Sequence, residues 1–417
     1  MSLALKVLIA LVLGLAAGLG ASVAGPSIAD PLATLLQPVG TIWVSAIRMA
    51  IIPLVVSSLL LGVGRAPDAR TVGVLGARGL LMFLAMLTAA GLFSLAIAPV
   101  VFSRFHVDTA AAEALRASAV ATGQAAIEGA KSIPSLAQWF IDLVPVNPVK
   151  AAADGALLPL IVFSIALGAA LTRIAADRRE ALLRVMDAVQ EACLAVMRAV
   201  LVVAPVGVFA LAFVLAAKIG FAAAGALATY IVLVCAVCIA FWLVVLYPAA
   251  VFGGGVKFMD FARAILPAQA VAFSSRSSLA AFPAMLAVAR EKLGLSQPTI
   301  GFLLPLMVTI FRAGAVIAQV VGAIFIAKLY GIPLSPAQYA TMTVTSIAAS
   351  FSVPGIPGGG IIMMVPVLLS VGLPAEGVGI LLAVDTIPDM FRTTTNVTAD
   401  LAAAVILDRR RVQSPAS

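Results

Sequence analysis

The sequence predicts an all-α polytopic membrane protein, and three observations carry that prediction. Hydrophobic residues make up 63% of the 417 positions and charged residues 11%. The mean hydropathy is +1.17. Apolar runs recur along the whole chain at close to the ~20 residues that a helix needs to cross the hydrocarbon core. A soluble domain is about 45–50% apolar and about 25% charged. A soluble globular enzyme, a disordered chain and a nucleic-acid-binding module are therefore excluded.

Taken in order, the runs are 3–24, 39–64, 79–103, 156–172, 195–217, 223–252, 299–327 and 377–407. The first is not read as a cleavable signal, because its n-region holds only Lys6 and further spans follow at once. Basic residues cluster between runs: Arg65, Arg70 and Arg78; Arg173, Arg178, Arg179 and Arg184; Arg290 and Lys292; Arg409 to Arg411. The positive-inside rule puts these clusters, much of the net charge of +8, and both termini on the cytoplasmic side of an inner (plasma) membrane. Residues 104–135 are Ala-rich and poor in basic residues, and read as an external loop without a usable motif. The cysteines Cys193, Cys235 and Cys238 lie in apolar runs and form no disulfide framework. The single histidine, His106, rules out a site that needs two.

Two apolar stretches do not read as simple spans. Residues 261–289 carry FSSRSSLAAFP (273–283), and 340–374 carry SFSVPGIPGGG (350–360). Serine clusters, prolines and glycine triplets interrupt helices. Irregular backbone at membrane depth survives only where it is buried in protein or lines a cavity. Both stretches read as re-entrant hairpins, with a pair of kinked spanning helices as the alternative. Hairpin then span occurs twice, over 261–327 and 340–407, with Phe311-Arg312 in one span and Phe391-Arg392 in the other. Repeats with broken segments mark secondary transporters, whose substrate lies at the repeat interface.

The last span carries Asp385, Asp389, Arg392, Asn396 and Asp400 at spacings of 4, 3, 4 and 4. At 100° per residue these fall within roughly 80° of arc, with Thr393 beside them. Inserting four ionisable groups costs on the order of 10 kcal/mol before pairing. Such residues within a membrane are functional by default. One reading is a zwitterion site: Arg392 to hold a carboxylate in its planar fork, Asp389 an ammonium, Asn396 offering amide groups, and Asp400 a cation or proton. The other is a network that satisfies itself, with Asp389 paired to Arg392 and Asp385 capping the helix or facing solvent. The hairpin tips complete the zwitterion site. SSRSS (274–278) offers hydroxyls and helix-end N–H groups that suit a carboxylate. PGIPGGG (354–360), with Ile356, Gly358 and Gly360, lets backbone approach a ligand and could gate it.

These residues resemble the dicarboxylate/amino-acid:cation symporters, the family that includes the glutamate transporters, over nearly the whole chain. AIRMAIIPLVVSSLLLGVG (46–64) resembles that family's second span, and LVPVNPV (143–149) with LLPLIVFSIALG (157–168) its fourth-span region. The serine-rich tip with Pro283 resembles the first hairpin, PGIPGGG the second, and DMFRTTTNVTAD (389–400) the most specific motif. The resemblance implies eight transmembrane helices plus two re-entrant hairpins in one membrane domain over 1–417, lipid-embedded and homotrimeric. It implies a scaffold of about 1–76 and 136–217, and a transport part of about 77–103 and 223–408 that moves past it like an elevator. Within the transport part, hairpin 1 is 261–292, span 7 is 297–328, hairpin 2 is 336–373 and span 8 is 375–408. Asp389 would hold the substrate amino group and Arg392 its side-chain carboxylate. Thr393, Asn396, Ser277, Ser278 and the Arg276 backbone would contact the amino-acid moiety. Asp400 matches a sodium ligand, with Asp385 and Asn396 near the same cation or proton site. Keeping both Asp389 and Arg392 resembles the acidic-amino-acid branch.

The departures are as informative. The family's seventh-span motif NMDGT appears here as FRAGA (311–315). Phe311 and Ala313 stand where oxygen ligands would be, and a hard cation needs oxygen. Ala315 stands at a substrate contact. In the third span the expected Tyr and Thr-Ser cluster appear as Ala85 and Thr88-Ala89, and a hairpin-2 Thr is Val353, followed by an extra Pro354. Arg312 falls where the family has Met. It is expected to supply the positive charge sodium would bring and to pair with Asp400, or else to snorkel away or bind substrate carboxylate. Transport would then be sodium-independent, and coupled to protons, to exchange or to nothing.

The expectation is therefore a symporter for aspartate, glutamate or a related dicarboxylate, without a cofactor or nucleic-acid partner. A binding or sensor protein, an anion channel, and a neutral amino-acid or C4-dicarboxylate transporter are the alternatives. An intramembrane protease is disfavoured, because Asp385, Asp389 and Asp400 share one helix and His106 lies in a loop.

Overall fold

A computed structural model describes residues 3–64, 69–104, 113, 115, 138, 141–219, 224–351 and 359–412. Among these, all regular structure is helical. Three helices are long and apolar enough to cross a membrane unaided: Gly73–Arg104, Leu227–Gly254 and Thr299–Tyr330. Val12–Ala24, Met49–Gly64, Leu157–Leu171 and Ala204–Val214 are shorter apolar stretches.

Helix α1 (Leu3–Ala24) packs on α7 (Ala204–Ile219), and both pack on α2 (Pro26–Gly64). Gly14 and Gly18 let the α1 backbone approach α7 closely: a Cβ on Gly14 would lie 2.6 Å from the Phe209 carbonyl oxygen, and one on Gly18 would strike that of Phe213. Small residues four apart are how apolar helices associate where no hydrophobic force drives them. Helix α2 starts at Pro26, well before the apolar run at 39: Ala29 and Ala33 are buried, Ala29 in a small apolar cluster with Ala21 and Phe213, while Ser27, Asp30 and Gln37 break the run on the exposed face. Thr34 and Thr41 donate to the carbonyls of Asp30 and Gln37, each at 2.8 Å. Helix α3 (Ala69–Arg104) likewise outruns its apolar core. After α4 (Pro148–Ala153) and α5 (Leu157–Leu171), the run at 195–217 is not one helix. It is the end of α6 (Ala176–Val202) followed by α7 after a break at Val203. Pro205, in the second position of α7, cannot donate and would clash with a continuing turn. The basic cluster Arg178 to Arg184 accordingly lies on α6 rather than in a loop.

Helix α8 (Ala224–Phe241) continues through a wide π turn (Trp242–Leu246) into α9 (Tyr247–Gly254), and Gly255 ends it in the left-handed conformation. The first hairpin is α10 (Phe258–Ser275) and α11 (Ser278–Ala287), which pack on each other. The seventh span begins with a π turn (Thr299–Leu303) and α12 (Leu304–Ile310). It breaks at Phe311 and Arg312, and resumes as α13 (Ala313–Tyr330). The second hairpin is α14 (Pro336–Ser350), then α15 (Gly359–Ile362) and α16 (Met364–Ser370). Its tip, with Val353, Pro354, Ile356 and Gly358, lies outside the described residues.

The last span is also divided. Helix α17 (Gly377–Val384) ends at Asp385, and α18 (Thr386–Val412) follows, with Pro388 in its first turn. Helix α18 is central: α8 to α13 all pack against it. From Met390 to Leu407 almost every residue is buried, so the polar stripe faces protein rather than lipid. Near its end Asp408 accepts from Ser296 N–H at 3.2 Å, from Thr299 Oγ1 at 2.7 Å and from the Ser296 hydroxyl, tying α18 to the start of the seventh span.

Candidate functional site

The candidate site is where α18, the break in the seventh span and the two hairpins meet. Asp385, Asp389, Arg392, Thr393, Asn396 and Asp400 are all buried, none more than 7% exposed. Their spacing keeps them on one side of the helix, as the sequence predicts. The break between α17 and α18 does not disturb this, because Asp389 N–H still donates to the Asp385 carbonyl at 2.8 Å.

Arg392 is clamped by its own helix. Its Nη2 donates to Asp389 Oδ1 at 2.7 Å and to Asp385 Oδ2 at 2.9 Å. Asp385 stands at the end of α17, but its side chain neither caps a helix nor faces solvent; it is buried and paired with Arg392. The network that satisfies itself is present in part only. Arg392 Nη1, Asp389 Oδ2 and Asp385 Oδ1 are buried and make no hydrogen bond. A donor and acceptors of opposite charge are thus held side by side and unspent. Such groups are costly to bury unless something completes them.

Hairpin 1 brings its tip to the same place. Arg276 sits between α10 and α11 at φ +53°, the one non-glycine residue in the left-handed region among those described. This turn lets the chain reverse within two residues. Ser277 caps α11, its hydroxyl accepting from Ala280 N–H at 3.2 Å. Ser277 and Ser278 are buried, and Arg276 lies within electrostatic reach of Asp385. The first-turn N–H groups of α11 have no partner within their own helix, as at any helix start. Hairpin 2 contributes Gly360, 3.7 Å from Arg392 Nη1 when measured from an ideal Cβ position. Its carbonyl accepts from Gln319 Nε2 at 3.2 Å.

The break in the seventh span lies across α18. A Cβ on Gly314 would strike the Arg392 backbone carbonyl, so only glycine fits. Gly314 N–H donates to Asn396 Oδ1 at 2.8 Å. One lone pair of the Asn396 oxygen is therefore engaged, and its NH2 and the second lone pair are what it can offer a ligand. Arg312 is 3% exposed, its Nη2 donating to the Thr309 carbonyl at 3.4 Å. No contact ion pair joins it to Asp400. In the third span it is Phe83, not Ala85, that meets this region. Ala85 is exposed, whereas Phe83 is fully buried and stacks on Phe311 with ring centroids 5.0 Å apart and planes 10° apart.

Three contributors escaped the sequence reading. Gln319 is the one amide inside the otherwise apolar α13, and its polarity was the available signal. Gly314 lay in plain sight within FRAGA, but no local rule says what a glycine must approach. Trp242 reads as an interfacial residue, yet it is half-buried and donates to Thr395 Oγ1 on α18 at 2.6 Å.

Residues 3–410 match the family model described as the sodium:dicarboxylate symporter family. The chain is 32% identical over 406 residues to a proton/glutamate-aspartate symporter of Escherichia coli, covering 97% of this chain and 92% of that one. It is 31% identical over 378 residues to a proton/sodium-glutamate symport protein of Bacillus subtilis, covering 91% and 86%. It is 27% identical over 413 residues to a C4-dicarboxylate transport protein of Solibacter usitatus, covering 97% and 91%.

Proposed function

The chain belongs to the sodium:dicarboxylate symporter family, a family of membrane transporters, and we propose that it is a symporter for an acidic amino acid, aspartate or glutamate. The observation that carries this reading is the unspent pair at the centre of the site. Arg392 Nη1 offers a donor for a carboxylate, and Asp389 Oδ2 an acceptor for an ammonium. A dicarboxylate without an amino group would leave Asp389 Oδ2 without a donor, so the pair favours an amino acid over a C4-dicarboxylate.

In this reading Arg392 holds the side-chain carboxylate and Asp389 the amino group. Asp385 steadies the guanidinium through the same Nη2 that Asp389 holds. Ser277, Ser278 and the Arg276 backbone at the first tip receive the second carboxylate, where helix-start N–H groups favour negative charge. Thr393 and the Asn396 amide complete the contacts. Ile356, Gly358 and Gly360 of the second tip cover the ligand and gate it. The transport part, about 77–103 and 223–408, moves as an elevator past a scaffold of about 1–76 and 136–217. Eight spans with two re-entrant hairpins, a homotrimer in the inner membrane and cytoplasmic termini belong to the same proposal.

Uptake of labelled L-aspartate and L-glutamate into proteoliposomes, under a sodium gradient, a proton gradient or neither, tests it. Saturable uptake that unlabelled aspartate inhibits, and that succinate and alanine do not, is the expected result. Binding without uptake would make the protein a sensor. Uptake inhibited equally by succinate would overturn the role given to Asp389.

A further inference from the structure

Two more buried charges lie just beyond the substrate contacts. Asp400 is fully buried, and neither of its carboxylate oxygens accepts a hydrogen bond. A carboxylate placed like this keeps its charge only beside a counter-charge. Arg312 lies nearby at the break in the seventh span, two residues before Gly314, whose N–H is bonded to Asn396 one turn before Asp400, and it acts on Asp400 across a gap without a contact ion pair. Arg312 is itself under-used: Nε has no partner, and the 3.4 Å bond from Nη2 to the Thr309 carbonyl is long.

The surroundings do not suit a sodium ion, which needs a shell of oxygen atoms. Phe311 turns its ring onto Phe83, and Ala313 and Ala315 bring only methyl groups. The Asn396 oxygen already accepts from Gly314 N–H, which leaves it one lone pair. The Thr309 carbonyl faces the guanidinium. A second cation would also meet the repulsion of Arg312 in a region of low dielectric, where charge interactions are strong.

We infer that Arg312 is a tethered cation that neutralises Asp400 in place of a sodium ion, making substrate binding independent of sodium at this site. A tethered charge is never released to the other side, so it draws nothing from a sodium gradient. The meaning for transport rests on the proposed function, but the charge pairing needs no substrate.

The test has a substrate-free arm and a binding arm, both on the purified full-length protein. In the first, thermal unfolding is followed in sodium chloride and in choline chloride. The wild type should melt at the same temperature in both. Arg312→Met should melt at least about 2 °C lower. Arg312→Lys should recover most of that loss, and so should Arg312→Met combined with Asp400→Asn, since no charge is then left unpaired. In the second arm, labelled L-aspartate is bound with and without sodium. Wild-type affinity should change by less than about twofold, while Arg312→Met should lose about tenfold in choline and regain part of it in sodium, an ordinary coupling between sites.

Sodium-dependent melting or aspartate binding in the wild type would overturn the inference. So would an Arg312→Met protein that matches the wild type in both arms, or a double variant that melts no higher than Arg312→Met alone. If no aspartate binds but the melting pattern holds, the substrate reading falls and the tethered cation stands. If aspartate binds only with sodium, the reverse is true.

Discussion

The same dipeptide, Phe-Arg, occupies the centre of both the seventh and the last span, and its two copies live in opposite circumstances. Arg392 lies inside α18, and a carboxylate three residues earlier on that helix and one seven residues earlier, at the break that precedes it, meet its guanidinium at 2.7 and 2.9 Å. Arg312 lies where the helix has come apart, at φ −128° and ψ 59°, with a single long bond to a carbonyl. Their phenylalanines differ in the same sense. Phe391 is half-buried against Trp242 and Phe273, and Phe311 is fully buried against Phe83. Neutralising a charge within one helix is a matter of residue spacing, which α-geometry guarantees. Neutralising one across two elements depends on how those elements dock. The first kind of arginine is therefore rigid and predictable, and the second is free to respond to its neighbours.

Arg392→Ala should break the comparison most severely. It strands Asp385 and Asp389, which removing one partner of a buried pair makes costly by about 3–5 kcal/mol. Aspartate uptake should be abolished, and adding Asp385→Asn should recover part of the thermal stability, Asp389 being still unpaired, without restoring uptake. Gly314→Ala comes next, because its Cβ would drive the broken span off the Arg392 backbone. Overpacking of this kind costs about 1–3 kcal/mol, and both melting temperature and aspartate affinity should fall. The two phenylalanines sharpen the contrast at smaller scale. Phe311→Leu should cost about 1–2 kcal/mol through a lost stack and a small void, and Phe391→Leu under about 1 kcal/mol, as read by denaturant or thermal unfolding. Asp408→Asn lies outside both environments and serves as the reference. It weakens the cap on the seventh span by about 0.5–1 kcal/mol and should leave aspartate affinity unchanged.

Hydropathy located the apolar cores of the helices well, because length and apolarity are properties of a segment taken alone. It failed where polar residues on an exposed face interrupt an apolar run without ending the helix, as at Ser27, Asp30 and Gln37 in the first half of α2, whose Ala29 and Ala33 are buried. It also failed where one apolar run hides two helices, as at Val203 before Pro205. The stripe on α18 was legible because a period of 3.6 is written into the spacing of Asp389, Arg392, Asn396 and Asp400. That Asp385 turns inward to share Arg392 was not, since either a cap or a partner fits the same position. Phe83 was beyond reach for a related reason: which face of α3 meets the break in the seventh span depends on docking, and Ala85 lies only two residues along. Gly314 shows the same limit, its role being defined wholly by the backbone it touches.

In the proposed reading Arg392 meets its cargo half occupied. The protein's own two carboxylates both grip Nη2 and leave Nη1 free, so a third carboxylate shares the guanidinium with them instead of displacing them. The negative charge already in place weakens the attraction felt on arrival. The same resident carboxylates keep the arginine paired when the cargo leaves. A receptor would lose by this arrangement, since it profits from holding on. A carrier must let go as often as it binds, and here the charges that ease release lie three and seven residues before the arginine.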